Sequence, residues 1–233
     1  MSSLYREPER REEPSWGALE FHDVFKIYRS GPAETVALRG LDVRVEPGEL
    51  VAVLGPSGSG KSTMLRLAAG LEQPSAGEVR AAGMSLARLG ERDLAEYRAR
   101  RLALVFQSGN LWPELTAREN VEIGLSLAGR RGDARAALAQ FGLTGAAERR
   151  AGILSGGEQQ RVAVAVAAAR QAPVVLADEP TAELDEENEM IVLEALHRLR
   201  DEAGSTVVVV THSPRVAGSA DRVVNLRDGR AAA

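Results

Sequence analysis

The sequence predicts an α/β fold built on a largely parallel sheet, and three observations carry the prediction. Short runs that are apolar at almost every position recur at Leu50-Val51-Ala52-Val53-Leu54, Leu102 to Phe106, Val174 to Ala177 and Thr206 to Val210. Strands covered on both faces read in this way. Between the runs lie helical patterns, Lys61 to Ala69 ending at Gly70, Gly157 to Arg170 and Glu187 to Ala203, and such alternation is the mark of crossover helices on a parallel sheet. Finally, 233 residues of which 44% are hydrophobic suffice for one large domain, or for one domain with a small subdomain.

Residues 1 to 16 are polar and carry two prolines, which predicts a mobile tail with order beginning near Ala18. Leu19, Phe21, Val24 and Phe25, followed by Val36, Leu38, Leu41, Val43 and Val45, form short strand-like groups, and Pro47-Gly48 marks a turn before the first wholly apolar strand. From about Asn110 to Ser155 the pattern is helical without a convincing strand, and Thr116-Ala117-Arg118-Glu119 is a capping box opening one helix. This segment is expected to be a helical subdomain inserted into the α/β core. At the end, Arg222 to Leu226 reads as a strand before the Asp228-Gly229 turn.

Basic residues number 29 and acidic residues 33, a net charge of −4, so no sequence-wide attraction draws the chain to nucleic acid or anionic lipid. Any phosphate must be held by local geometry. Cysteine is absent, which removes disulfides, thiolate metal sites and cysteine nucleophiles. No apolar run approaches the length of a membrane helix, and the charged N-terminus lacks the apolar core of a signal peptide. The expectation is a cytoplasmic chain that is not inserted in the membrane and reaches it only through a partner. Among the basic residues only Lys26 and Lys61 are lysine.

Lys61 stands in Gly55-Pro56-Ser57-Gly58-Ser59-Gly60-Lys61-Ser62, directly after the strand ending at Leu54 and at the start of a helix. That is the context a phosphate loop requires. Glycines let the backbone curl so that successive amides face phosphate oxygens, and the helix adds its positive end. Lys61 would bridge β- and γ-phosphates, Ser62 would ligate Mg2+, and Gly55, Ser57, Gly58, Ser59, Gly60 and Thr63 are expected at the nucleotide with them. A second element, Val174-Val175-Leu176-Ala177-Asp178-Glu179, ends a buried strand in two carboxylates. Such pairs also occur as solvated strand ends; behind a phosphate loop, Asp178 reads as a Mg2+ ligand and Glu179, pointing elsewhere, as the group that polarises the attacking water. The third element is Leu154-Ser155-Gly156-Gly157-Glu158-Gln159-Gln160-Arg161, a good N-cap followed by bare glycine amides at a helix start. An ordinary capped helix accounts for Ser155 but not for the octet.

These residues resemble the nucleotide-binding subunit of ATP-binding cassette transporters, whose signature motif the octet matches letter for letter. The resemblance covers about Leu19 to Arg230. It implies a P-loop NTPase core with a largely parallel sheet, an antiparallel β subdomain and an inserted α-helical subdomain, all within residues 17–233. It also implies roles for single residues. Tyr28 stands where the family stacks an aromatic on adenine, Gln107 where a glutamine reaches Mg2+ and the attacking water, and His212 where a histidine contacts the γ-phosphate. His22 and His197 are read as structural. Ala182-Glu183-Leu184-Asp185 matches the loop that touches the opposite subunit. ATP and Mg2+ are the implied cofactors. The implied assembly is a head-to-tail pair of copies, each ATP lying between Lys61 of one and Ser155, Gly156, Gly157 and Glu158 of the other.

The implied work is ATP hydrolysis that drives a separately encoded membrane permease from the inner face of the membrane. Leu111 and Trp112, beside Pro113, are candidates for the docking groove, burial of Trp112 being the other reading. Phe106-Gln107-Ser108 and Leu115 to Val121 most resemble the macrolide-exporter and lipoprotein-releasing class. The chain departs from that class at Ala182-Glu183, where Gly-Asn is usual, and at Val166, where arginine is usual. Two further readings have the same ATPase transmit a mechanical or regulatory signal, or serve a soluble nucleic-acid or cluster-assembly task; the second lacks the long coiled coil, second cassette and cysteines that such proteins carry.

Overall fold

A computed structural model describes residues 17–31, 33–182 and 184–232. The expected tail and Glu183 lie outside the described residues. Four strands, β1 (Leu19–Ser30), β2 (Ala33–Val45), β4 (Ala76–Ala81) and β5 (Met84–Ser85), pair antiparallel in the order β2-β1-β4-β5. A second sheet has the order β10-β9-β3-β8-β7-β6. Its members are β3 (Leu50–Leu54), β6 (Leu102–Val105), β7 (Val174–Asp178), β8 (Thr206–Val210) and β9 (Arg222–Arg227), all parallel, with β10 (Arg230–Ala232) antiparallel at one edge.

The wholly apolar strands partition two cores. Val51, Val53, Leu102, Val174, Leu176, Val208 and Val210 pack in one cluster with the antiparallel sheet, α1 (Lys61–Ala68) and α2 (Glu91–Arg100). Leu50, Ala103, Val105, Val175, Ala177, Val207 and Val209 pack in the other, with α3 (Ala117–Leu127), α4 (Ala134–Ala139), α5 (Gly156–Arg170) and α6 (Glu186–Asp201). Successive side chains of a strand leave opposite faces, so both faces must be apolar. A short α7 (Pro214–Ser219) follows β8.

The two N-terminal apolar groups belong to strands of 12 and 13 residues rather than short runs. Their spacing is broken because β1 changes register between Phe21 and Val24, where Asp23 takes φ 46. The irregularity returns Val24 to the buried face that Leu19 and Phe21 occupy. Helix boundaries also differ by a residue or two from expectation: α5 begins at Gly156 and α6 spans Glu186–Asp201.

Residues 110–155 hold α3, α4 and the 3-10 turns Thr144–Ala146 and Ala151–Ile153, with one isolated bridge between Thr116 and Arg150. Thr116 and Glu119 form the capping box of α3. Val121, Leu138 and Phe141 share their core with Val162 and Ala163 of α5 and with the sheet. Nothing in the sequence reading announced β4, β5, α2 or α7. Helix α2 buries only Leu94 and Tyr97, too little periodicity to detect, yet it ties other helices together. Buried Tyr97 donates to Ala68 O (2.8 Å) and Arg98 to Gly70 O (2.8 Å), capping the end of α1. Arg170, at the end of α5, donates to Arg98 O (2.7 Å) and Ala99 O (2.9 Å), capping α2 in turn.

Candidate functional site

A cleft of about 740 Å³ opens where β3, β7 and β8 end, the usual place for ligands in an open parallel sheet. Ser57, Gly58, Gly60, Lys61, Ser62 and Thr63 line it, together with Gln107, Asp178, Glu179 and His212, and Tyr28 comes from the antiparallel sheet. Residues distant in sequence thus share one cavity.

The loop between β3 and α1 is shaped by glycine at two demanding positions. A Cβ on Gly55 would lie 2.1 Å from Leu226 O, and one on Gly60, at φ 104, would lie 2.6 Å from Ala37 O. Gly55 and Ser59, both expected at the ligand, do not line the cleft. Ser59 is buried, its amide donates to Pro56 O (3.2 Å) and its carbonyl accepts from Gly229 N (3.0 Å), so it secures the loop to the β9–β10 hairpin. Buried Lys61 donates from Nζ to Gly55 O (2.7 Å) and Pro56 O (3.0 Å), folding its ammonium over the loop.

The paired carboxylates have different partners. Asp178 ends β7 in extended backbone, and its Oδ2 accepts from Ser62 Oγ at 3.1 Å. Glu179 takes φ 49, a conformation that costs a non-glycine residue roughly 1–3 kcal/mol. Its amide donates to Val210 O (2.9 Å), its Oε2 accepts from the His212 amide (3.2 Å), and His212 Nε2 stands 3.3 Å from Oε1. Oε1 is buried and has no hydrogen-bond partner. A hydroxyl, a carboxylate and the amide of Gln107 are hard oxygen donors suited to Mg2+. Among the described residues no three His, Cys, Asp or Glu side chains gather as a metal cluster, so most ligands would have to be phosphate and water.

Ser155, Gly156, Gly157 and Glu158 do not line this cleft. Ser155 is the N-cap of α5, Glu158 N donates back to its Oγ (3.3 Å), and Ser155 N donates to Glu158 Oε2 (2.8 Å). The bond from the Ser155 amide, with a smaller contribution from Arg149 at 2.8 Å, holds the Glu158 carboxyl below its ordinary pKa. Ser155 and Gly156 are exposed. Ala182, expected in the loop that meets an opposite subunit, is exposed and lines the cleft.

Three supporting residues escaped the sequence reading. Asn110 exchanges bonds with the Phe106 amide and carbonyl (2.7 and 2.6 Å), closing the turn that carries Gln107. Buried Asn120 accepts from Trp112 N (2.8 Å) and donates to Thr116 O (2.9 Å), fixing the loop beyond it. Its signal was available, since it shares the buried stripe of α3 with Ala117, Val121 and Gly124. Glu72 meets Tyr28 Oη at 2.7 Å, a contact between positions too distant for any local pattern. Leu111 packs on the core, whereas Trp112 is 50% exposed. His22 pairs with buried Glu20 at 2.9 Å, away from the cleft.

The ABC transporter family model matches residues 38–182. An uncharacterized ABC transporter ATP-binding protein of Thermotoga maritima is 44% identical over 217 residues, 91% of this chain and 92% of that protein. The lipoprotein-releasing system ATP-binding protein LolD of Chromohalobacter salexigens is 42% identical at the same coverage. The macrolide export ATP-binding/permease protein MacB of Rhodopseudomonas palustris is 46% identical over 87% of this chain but only 32% of its own length. A solved dimeric ATP-binding cassette in a post-hydrolysis state, bound to ADP and Pi, superposes with a TM-score of 0.87 at 38% identity, over 92% of this chain and 97% of that one. With the phosphate loop, the carboxylate pair and the signature octet in place on this fold, the chain belongs to the ABC transporter family as one of its ATP-binding cassettes.

Proposed function

We propose that this cassette binds ATP in the cleft, closes head to tail with a second copy, and hydrolyses the nucleotide to drive a membrane permease, as an ATP-binding protein of the class that LolD and the ATP-binding part of MacB exemplify. The observation that carries the reading is the gathering of Lys61, Ser62, Gln107, Asp178, Glu179 and His212 around one cleft while the signature residues lie outside it. A site divided in this way is completed by a second chain.

Lys61 exchanges its loop carbonyls for β- and γ-phosphate oxygens, and the amides of Ser57, Gly58 and Gly60 to Thr63 take the remaining phosphate charge. Ser62, Asp178 and Gln107 would hold Mg2+, which when bound would supply positive charge against the phosphates. Glu179 Oε1, which lacks a hydrogen-bond partner, accepts the hydrogen bond that orients the attacking water. His212 steadies Glu179 and meets the γ-phosphate. The start of α5, at exposed Ser155 and Gly156 and half-buried Gly157, supplies the second copy's amides to that same phosphate, so loss of the γ-phosphate loosens the pair. Tyr28 supports the adenine. Gln107 and the loop bearing exposed Trp112 pass the change to the permease. No helix among the described residues is long and apolar enough to cross a membrane. The names of the relatives concern release and export and do not favour the signalling alternative.

The test is ATP binding and turnover by the purified chain against Lys61→Ala. Removing one member of a close charge pair costs about 2–5 kcal/mol, at least roughly thirtyfold in affinity. Equal affinity for a fluorescent ATP analogue in both proteins would remove Lys61 from the site. Purification from membranes, with identification of the attached protein, tests the permease.

A further inference from the structure

We propose that Glu72 is a positioning residue for the base: it clamps the Tyr28 ring to the phosphate-loop helix, so that base and triphosphate are held in one register. The inference rests on the reading of Tyr28 as the surface on which adenine stacks.

Tyr28 lies on β1 of the antiparallel sheet, whereas the phosphate loop leads from β3 of the other sheet into α1. A nucleotide that spans both needs their spacing set in advance. Glu72, just beyond α1, makes that link. It accepts from Tyr28 Oη at 2.7 Å, pairs with Lys26 Nζ at 2.9 Å, and stands 3.7 Å from Arg66 of α1. Tyr28 Oη also lies 3.4 Å from Thr63 Oγ1, one residue after Ser62. Lys26, one of two lysines in the chain, donates to Gln73 O at 2.9 Å and sits 5.0 Å from the Tyr28 ring centroid.

The ring is therefore fixed at its hydroxyl and backed by a cation. Lys26 does not line the cleft, whereas Tyr28 and Thr63 do; a ring can hold a cation on one face and a base on the other. Partial burial raises the pKa of Glu72, but the bonds from Tyr28 and Lys26 and the charge of Lys26 outweigh it and hold the carboxyl below its ordinary value. The clamp is thus charged near neutral pH. A ring ordered before the ligand arrives loses little freedom on binding. Stacking on an aromatic is worth roughly five- to hundredfold in affinity, and this contribution depends on the clamp.

The experiment compares ATP with inorganic tripolyphosphate, which has the phosphates without the base, on the full chain and on Glu72→Ala, Glu72→Gln, Tyr28→Ala and the double alanine variant. Thermal unfolding of each confirms folding. Glu72→Ala should weaken ATP roughly five- to tenfold while leaving tripolyphosphate affinity and the turnover at saturating ATP unchanged. Glu72→Gln keeps an acceptor for Tyr28 Oη and should recover part of the loss. The double variant should be no weaker than Tyr28→Ala alone, as expected of two residues acting through one contact. If Tyr28→Ala weakens ATP and Glu72→Ala does not, or if Glu72→Ala weakens both ligands equally, the clamp is wrong and the base platform stands. If Tyr28→Ala binds ATP as tightly as the parent, platform and clamp fall together.

Discussion

The Ser62 hydroxyl donates to Asp178 Oδ2 across 3.1 Å, joining the first turn of the phosphate-loop helix to the end of β7. One residue opens a helix and the other closes a strand, and the sheet order β3-β8-β7 sets the distance between them.

That contact predicts a metal effect. Asp178→Asn removes the charge but keeps an acceptor for Ser62, so the fold survives while the cation is held less well. A charge-assisted interaction is worth about 1.5–3 kcal/mol. The Mg2+ concentration for half-maximal ATPase activity should rise at least roughly tenfold, read from an Mg2+ titration at saturating ATP. An unchanged midpoint would take Asp178 out of the metal site.

Glu179→Gln should leave ATP binding intact and slow hydrolysis by roughly 10²- to 10⁴-fold, the usual worth of a positioned base. Because the nucleotide then persists, an ATP-bound dimer should accumulate on size exclusion, or a closed complex in membranes. Near-normal turnover would assign the base elsewhere, with His212, 3.3 Å away, the first alternative.

The divided site predicts a cross-link. The chain has no cysteine, so Ser57→Cys in one tagged copy and Glu158→Cys in another, both carrying Glu179→Gln, react without background. ATP should join the two tags through a short linker and ADP should not, since the γ-phosphate is the group the signature amides would hold. The reaction is run in membranes as well as in solution, where the permease raises the local concentration. Linkage that fails there with ATP, or proceeds equally with ADP, removes the head-to-tail arrangement.

Asp221 predicts a pH dependence of stability. Its Oδ2 accepts from Leu50 N at 2.8 Å at the foot of β3, and its Oδ1 accepts from Arg200 at 2.6 Å. The backbone bond, followed by Arg200, holds its carboxyl below 3.8 in the folded chain. The folded state then binds fewer protons than the unfolded one, so this stabilisation is complete above pH 3.8 and lost as the pH falls through the folded value. Asp221→Asn should lower Tm at pH 7 by about 1–3 °C, the scale for a half-exposed pair in a chain of this size. Melting curves of the two proteins should converge in acid; a constant gap would show that the charge plays no part.

Much of the site was legible because its chemistry is local. A phosphate loop needs glycines and a lysine at fixed spacing beside a strand, and Gly55 to Ser62 carry all of that in one stretch. The start of α5 is equally local: Ser155 and Glu158 satisfy each other's amides within a single turn. The apolar strands announced a sheet buried on both faces, and both cores indeed draw on alternate residues of the same strands. Less local features were hidden. The irregularity at Asp23 interrupts the period of β1, and α2 buries two residues whose partners, Ala68 and the sheet, lie elsewhere in the chain.

The sequence by itself determined which residues could bind phosphate, ligate a cation or cap a helix, because those capacities belong to side-chain types and short spacings. The tertiary structure alone decided which of them meet. Asp178 and Glu179 are neighbours in the chain, yet a left-handed φ at Glu179 sends one to Ser62 and the other to His212. Ser59 does not line the cleft and its carbonyl accepts from Gly229 of the β9–β10 turn, and Ser155 to Glu158 lie outside the cleft. Packing sets the distant contacts: Asp178 meets Ser62 and Glu179 meets His212 because the sheet brings the ends of β3, β7 and β8 together, and no window of the sequence contains both sides of such a contact.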